Sequence, residues 1–214
     1  MFRTFIPDLP VLAAYLVASA VLSLTPGPDM TFFLSKTVAQ SRSAGFSALA
    51  GVSAGLVAHS VLVAAGLSVL LAASASAFTA LKIAGAVYLA YLAFDAIRHG
   101  SSLALAKGGR PLRLRAVALK GLLINLLNPK VIIFFVTFLP QFVSAHDPYA
   151  PRKMLFLGLA FMVVNIPVSA ALILAADRIT LMLRSSSRAR RIVDWLFAGV
   201  LSAFAVKLIL TQTR

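Results

Sequence analysis

Two proline-containing segments place charged side chains inside long apolar stretches of the chain. They are Pro26-Gly27-Pro28-Asp29 and Asn128-Pro129-Lys130. Proline lacks a backbone donor and clashes with the carbonyl four residues earlier, so each segment interrupts a helix and frees backbone polar groups. Freed carbonyls favour a cation, and a freed N-terminal end of a half-helix favours an anion. The two segments together therefore predict a site for a small solute that carries both charges.

The charges of Asp29 and Lys130 support this interpretation. An ionisable group inside a membrane span is costly and is functional by default. There are alternatives for each: Asp29 as a cap of the second half-helix, and Lys130 as a side chain that extends its amine toward the membrane surface. The matched prolines favour a binding site instead. The candidate substrate-binding residues are Pro26, Gly27, Pro28, Asp29, Asn128, Pro129 and Lys130.

Four further polar residues in apolar stretches are candidates for the substrate or proton pathway. His59 either gains and loses a proton if the chain moves a solute across a membrane, or stays neutral and hydrogen-bonded to a neighbouring helix. Lys82 either contacts substrate or extends toward the interface. Asn125 and Asn165 favour hydrogen bonds between helices, and Asn165 also precedes Pro167 at a candidate kink.

A hydrolase-like motif lies at Gly51-Val52-Ser53-Ala54-Gly55. The nucleophile elbow requires a strand, a turn and a helix, whereas this motif lies inside an apolar helical stretch. His59 falls ~240° round that helix from Ser53, so it does not serve as the base. The glycines favour close helix–helix contact, within one chain or between two copies in a homodimer.

Other classes of function lack their signatures. No spacing of His, Asp or Glu suggests a metal site, and no phosphate loop suggests ATP coupling, so we expect no cofactor and no enzymatic activity. The chain carries 20 Lys and Arg against 6 acidic residues, a net charge of +14. The basic residues lie in short gaps between apolar stretches rather than among aromatics on a polar face, so we expect no nucleic-acid partner.

The elements that must hold these residues are membrane-spanning helices. The 214 residues are 60% hydrophobic and 12% charged, with a mean hydropathy of +0.95. Barrel strands would alternate in polarity, but these stretches are continuously apolar and long enough to span a bilayer. Six helices are predicted, at about 11–38, 45–72, 77–98, 116–143, 154–176 and 192–211.

Topology follows from the distribution of basic residues. Lys and Arg concentrate in the connections after the first, third and fifth helices, which should be cytoplasmic. This places both termini outside. The first helix also contains Ala18-Ser19-Ala20, which resembles a signal-peptide cleavage site, but five hydrophobic spans follow it and favour a retained helix.

Helices one and four share one pattern. At ~42 Å each exceeds the hydrocarbon thickness, and each contains one of the two proline breaks. Pro28 and Pro129 are separated by 101 residues, close to half the chain. The spacing predicts a duplicated unit of three helices whose second copy is inverted in the membrane, an arrangement that recurs in transporters.

The predicted fold is therefore an all-α membrane protein of six transmembrane helices in two inverted three-helix repeats. A single domain covers 1–214, with one repeat at about 11–98, a basic cytoplasmic loop at about 99–115, and a second repeat at about 116–211.

With these motifs the chain resembles the LysE/RhtB superfamily of amino-acid exporters. The matching segments are Leu24 to Asp29, Gly85-Ala86-Val87-Tyr88-Leu89, and Asn128 to Lys130 continuing through Phe134-Phe135 to Phe142. Their order and spacing agree over essentially the whole chain. Tyr88, in the second segment, joins the candidates for the substrate or proton pathway.

The resemblance implies an efflux carrier of the bacterial inner membrane for amino acids or related zwitterions, driven by proton exchange. Its partners would be the amino-acid substrate, protons and the lipid bilayer. A passive channel for small solutes is the alternative, although no ring of like polar side chains marks a pore. A membrane-embedded enzyme or assembly factor is a further alternative. An enzyme would need a nucleophile with its base, and the only candidate is Ser53 in the glycine motif that does not fit a nucleophile elbow.

Overall fold

The computed structural model describes residues 7–67, 112–143 and 147–176, together with single residues between 83 and 98 and between 178 and 206. Regular structure within these residues is helical. The third and sixth predicted helices, 77–98 and 192–211, lie mostly outside the described residues.

The first continuous region forms three helices. They are α1 (Leu9–Leu24), α2 (Pro28–Ala39) and α3 (Arg42–Leu62), and a π-helical turn over Val63–Leu67 continues α3. Ser41 caps α3, because its side chain accepts a hydrogen bond from the Ala44 N–H at 3.1 Å. This cap separates α2 from α3 and fixes the turn between them.

The second region begins with α4 (Leu114–Leu126) and the short helix α5 (Pro129–Ile133). A π-helical turn at Phe134–Phe138 and a 3-10 turn at Leu139–Phe142 extend α5. The last continuous helix, α6 (Ala150–Leu174), runs through Pro167.

The predicted breaks in the first and fourth spans are confirmed. α1 and α2 meet at an angle of 51°, and α4 meets the segment Pro129–Phe142 at 50°. In the described part of the chain, two helices are long and apolar enough to cross a membrane, and there are up to four spans if each bent pair counts as one. The arrangement of six spans in two inverted repeats stays a prediction.

Helix α6 connects the first helix to the second broken span. The Tyr15 hydroxyl on α1 donates to the Leu157 carbonyl at 2.8 Å, and Tyr15 is fully buried. Rings of Phe134 and Phe161 pack with centroids 4.8 Å apart. These contacts belong to one apolar cluster shared by α1, α3, α6 and the turns after α5.

Helices α3 and α4 cross with their backbones in contact. A side chain at Gly51 would collide with the Ala118 carbonyl, and one at Gly121 would collide with the Ala48 carbonyl. The close contact expected of the glycine motif is therefore within the chain. The same close approach packs Asn125, one turn after Gly121 on α4, directly against Gly55 on α3.

Candidate functional site

The first break leaves the end of α1 without helical continuation. Thr25 is extended (φ −67°, ψ 122°), and Gly27, also extended, immediately precedes α2. Pro28 occupies the first turn of α2, where a missing N–H is tolerated. The Thr25 carbonyl is thereby left for a partner outside α1, whereas the Leu22 carbonyl still accepts from the Thr25 N–H at 3.2 Å and has room for a second donor.

Lys130 from the second break supplies that partner. Its Nζ donates to the Leu22 carbonyl at 2.9 Å and to the Thr25 carbonyl at 2.6 Å. The aliphatic part of the same side chain passes over Gly27, where an added Cβ would lie 3.2 Å from Lys130 Cδ. The two breaks therefore face each other, as the sequence predicts, and Lys130 does not extend toward the interface.

Asp29 is held by a different residue. Asn125 Nδ2 donates to Asp29 Oδ2 at 2.8 Å, and the charges of Asp29 and Lys130 attract each other without a direct hydrogen bond. The backbone carbonyl of Asn125 lies 3.2 Å from His59 Nε2. One polar chain thus connects α3, α4 and α2, and its central residue Asn125 is fully buried.

Asn128 stabilises the second break locally. Its Oδ1 accepts from the Lys130 N–H at 3.0 Å, so Asn128 caps α5. Asn128 is buried and also borders the cavity. Gly27, the equivalent cap position of the first break, has no side chain to make this bond.

A cavity of about 40 Å³ separates the breaks. Its polar lining includes Asp29, Lys130, Asn128 and the Ser23, Asn165 and Ser169 side chains; its apolar lining includes Phe134 and Phe161. Such a volume has room for a few water molecules. The cavity is therefore a polar space between the two breaks.

Three side-chain oxygen atoms in and next to the site have no hydrogen-bond donor. Asp29 Oδ1, Asn125 Oδ1 and Asn165 Oδ1 are buried and have no hydrogen-bond partner. A buried polar atom without a partner is unfavourable by roughly 1–3 kcal/mol. The arrangement therefore suits a ligand that brings donors, above all an ammonium group.

The structure brings together most of the sequence candidates. Gly27, Asp29, Asn128 and Lys130 line the cavity, whereas Pro26, Pro28 and Pro129 shape the breaks without being part of its lining. His59 and Asn125 connect to Asp29. Asn165, on α6, donates from Nδ2 to Ser23 Oγ at 3.1 Å, so its expected interhelical bond is confirmed. Lys82 and Tyr88 lie outside the described residues.

Sequence reasoning missed several residues of the site. The carbonyls of Leu22 and Thr25 leave no signal because every residue has one, although the two prolines mark where carbonyls lose their helical partners. Ser23 and Phe161 are ordinary residues of apolar helices in the sequence. Only the fold shows that they border the cavity.

Comparison with known proteins identifies the family. The sequence model of the LysE type translocator family matches residues 20–212 of the chain. The chain belongs to this family. Members are membrane transporters rather than enzymes, which agrees with the apolar spans and the polar cavity between them.

Relatives are similar over most of their length. An uncharacterized membrane protein of Vibrio cholerae is 35% identical over 158 residues, covering 74% of this chain and 77% of the relative. Homoserine/homoserine lactone efflux proteins of Salmonella typhimurium and Salmonella typhi are each 32% identical over 166 residues, covering 78% of this chain and 80% of each relative. No solved structure matches the chain.

Proposed function

We propose that the protein is a secondary exporter of small amino acids or related zwitterions, driven by proton exchange across the bacterial inner membrane. The observation that carries the proposal is the Lys130 ammonium of one broken span bound to the freed Leu22 and Thr25 carbonyls of the other, beside Asp29. An amino acid presents the same ammonium group and needs the same acceptors.

The names of the Salmonella relatives support recognition of the amino end. Homoserine and its lactone share an amino group, but only homoserine has a free carboxylate. A site that handles both must bind their common group. Here the two carbonyls and the unpartnered Asp29 Oδ1 offer three acceptors, which matches the three donors of an ammonium.

Binding requires Lys130 to move. Two carbonyls cannot fully satisfy two ammonium groups, so the substrate ammonium displaces that of Lys130 in this mechanism. The released lysine then pairs with the substrate carboxylate. The two broken spans would then separate, and alternate opening of the site to the two sides of the membrane completes the cycle.

Proton exchange is assigned to the ionisable groups of the same site. Asn125 joins Asp29 to His59 through two hydrogen bonds, and the charge of Lys130 interacts with that of Asp29. A proton taken up here from outside and released inside would drive export. In the topology that we propose, the basic connections are cytoplasmic and both termini are outside.

A flux assay tests the proposal. Purified protein in liposomes is supplied with labelled homoserine, with and without an imposed pH gradient, and then with an uncoupler. We expect accumulation against the homoserine gradient that the uncoupler abolishes, and exchange stimulated by unlabelled homoserine on the opposite side. A channel gives downhill flux without this stimulation, and flux insensitive to the pH gradient contradicts proton exchange.

Topology is tested separately with a reporter fused to the C-terminus. A reporter active only in the periplasm should be active, and one active only in the cytoplasm should be silent. The reverse pattern contradicts the outside placement of the termini.

A further inference from the structure

The cavity has a second polar region, formed by uncharged side chains. Asn165 on α6 and Ser23 on α1 both line it, and they are joined by the hydrogen bond from Asn165 Nδ2 to Ser23 Oγ. The other end of the same amide, Oδ1, is buried and has no partner. Ser169, one turn further along α6, also borders the cavity.

The bond to Ser23 determines which atom of the amide is available. Nδ2 is engaged with the hydroxyl, so Oδ1 remains as an acceptor. Apolar rings of Phe134 and Phe161 form another part of the lining. The region therefore resembles a subsite for a short aliphatic chain that ends in a hydrogen-bond donor.

We propose that Asn165 recognises a hydroxyl group on the side chain of the substrate, so that the carrier prefers hydroxylated amino acids over apolar ones of the same size. This inference rests on the proposed function and narrows its substrate class. The ammonium of the substrate occupies the acceptors beside Asp29, and its side-chain hydroxyl donates to Asn165 Oδ1.

Selectivity follows from what a wrong substrate leaves unpaired. An apolar side chain would keep Asn165 Oδ1 buried without a donor, and a site built for a hydroxyl discriminates against substrates that lack it. A cationic side chain would need a second carboxylate. Among the described residues that line the cavity, Asp29 is the only acidic one.

Homoserine and norvaline provide the matched probes, because a methyl group in norvaline replaces the hydroxyl of homoserine. We measure KM and kcat for the transport of each by the full-length protein in liposomes. Wild type should prefer homoserine by at least about tenfold in kcat/KM. Equal transport of the two overturns the inference, whereas no flux of any amino acid contradicts the proposed function itself.

Substitution of Asn165 identifies the residue responsible. Asn165→Leu should remove the preference by weakening homoserine transport while norvaline transport is retained or increased. Equal loss of both substrates means that Asn165 only holds α6 against α1, and overturns the inference. Val163→Leu, on the same helix at a side chain that is 73% exposed, is the control and should keep the wild-type ratio.

Asn165→Gln decides the question if the leucine variant does not fold. It keeps the amide but moves it by one methylene group into the cavity. The preference should then shift from homoserine toward serine, whose hydroxyl is one carbon closer to the backbone. An unchanged ratio of serine to homoserine transport overturns the inference.

Discussion

The two broken spans have the same shape but complementary chemistry. Each bends by about 50°, and each half-helix after the break begins with proline. The first break presents the Leu22 and Thr25 carbonyls as acceptors. In the second break Asn128 caps the following helix, and the Lys130 ammonium donates to those two carbonyls. Two breaks of similar backbone shape therefore supply hydrogen-bond acceptors on one side of the cavity and a hydrogen-bond donor on the other.

This difference shows how the two breaks stabilise each other. Without Lys130 the Thr25 carbonyl would lack a hydrogen-bond donor, which is costly in an apolar surrounding. The Lys130 ammonium supplies that donor and also bonds to the Leu22 carbonyl. In the mechanism that we propose, the ammonium of an amino acid would replace it.

Removal of the Lys130 charge should have the largest effect on this pairing. Lys130→Met keeps the aliphatic length but takes the ammonium donor away from the Leu22 and Thr25 carbonyls and removes the proposed partner of the substrate carboxylate. Truncating one partner of a buried charged hydrogen bond costs about 2–5 kcal/mol, so homoserine transport should fall at least ~30-fold. Homoserine methyl ester, which keeps the side-chain hydroxyl but has no free carboxylate, should be affected less.

The measurement is labelled uptake into liposomes at matched protein content. Lys153→Met removes a lysine in the first turn of α6 that does not line the cavity, and it is the control, with transport near wild type. If Lys130→Met reduces transport of homoserine and of its methyl ester equally, Lys130 does not pair with the carboxylate.

Gly55 on α3 leaves room for the side chain of Asn125 on α4, which donates to Asp29 in the first break. A Cβ at this position would lie 2.9 Å from both Cβ and Cγ of Asn125. Gly55→Ala should therefore displace Asn125 from Asp29 and destabilise the protein by ~1–3 kcal/mol, as overpacking does. Thermal unfolding in detergent measures the effect.

Gly66→Ala is the matched control, since a Cβ there meets nothing within 4 Å. It should leave the unfolding temperature unchanged or raise it slightly. Equal effects of the two alanines would show that the space at Gly55 has no role in placing Asn125.

The cap of the second break offers a smaller test. Asn128→Ala removes the bond to the Lys130 N–H and should cost ~1 kcal/mol, whereas glycine at a cap position costs only a few tenths. Asn128→Gly makes the second break resemble the first, whose cap is Gly27. Denaturant titration should rank wild type above Asn128→Gly above Asn128→Ala, and the reverse order of the variants contradicts a capping role.

An ordinary ion pair at the start of α6, away from the cavity lining, gives the smallest effect and a reference for the buried charges. Lys153 Nζ lies 2.5 Å from Asp147 Oδ2. Partial burial by itself raises the pKa of Asp147, but the hydrogen bonds from Lys153 and the Tyr149 N–H and the Lys153 charge outweigh it. The pKa of Asp147 is therefore below its usual value.

A lowered folded-state pKa stabilises the protein above the unfolded pKa of ~3.9, and this contribution is lost as pH falls through the folded value. Asp147→Asn should therefore lower stability at pH 7 by no more than ~1 kcal/mol, with a smaller difference near pH 3. Unfolding curves at the two pH values measure it. A larger difference at pH 3 contradicts the assignment.

The sequence predicted the parts of the site that depend on residue type. The prolines predicted both helix breaks, and Asp29 and Lys130 in apolar stretches predicted the charged groups of the site. The partners of Lys130 were not predictable, since they are backbone carbonyls. The Asn165–Ser23 bond joins positions 142 apart in the chain, and no local pattern pairs them.

The glycine contacts between α3 and α4 also restrict how the carrier can open. α3 belongs to the first predicted repeat and α4 to the second, yet Gly51 and Gly121 bring their main chains together with no side chain between them. Sliding along this contact would force residues with side chains into the space of a glycine. We therefore expect α3 and α4 to stay in contact during the transport cycle that we propose, and the motion that admits a substrate to be a rotation about this contact rather than a sliding along it.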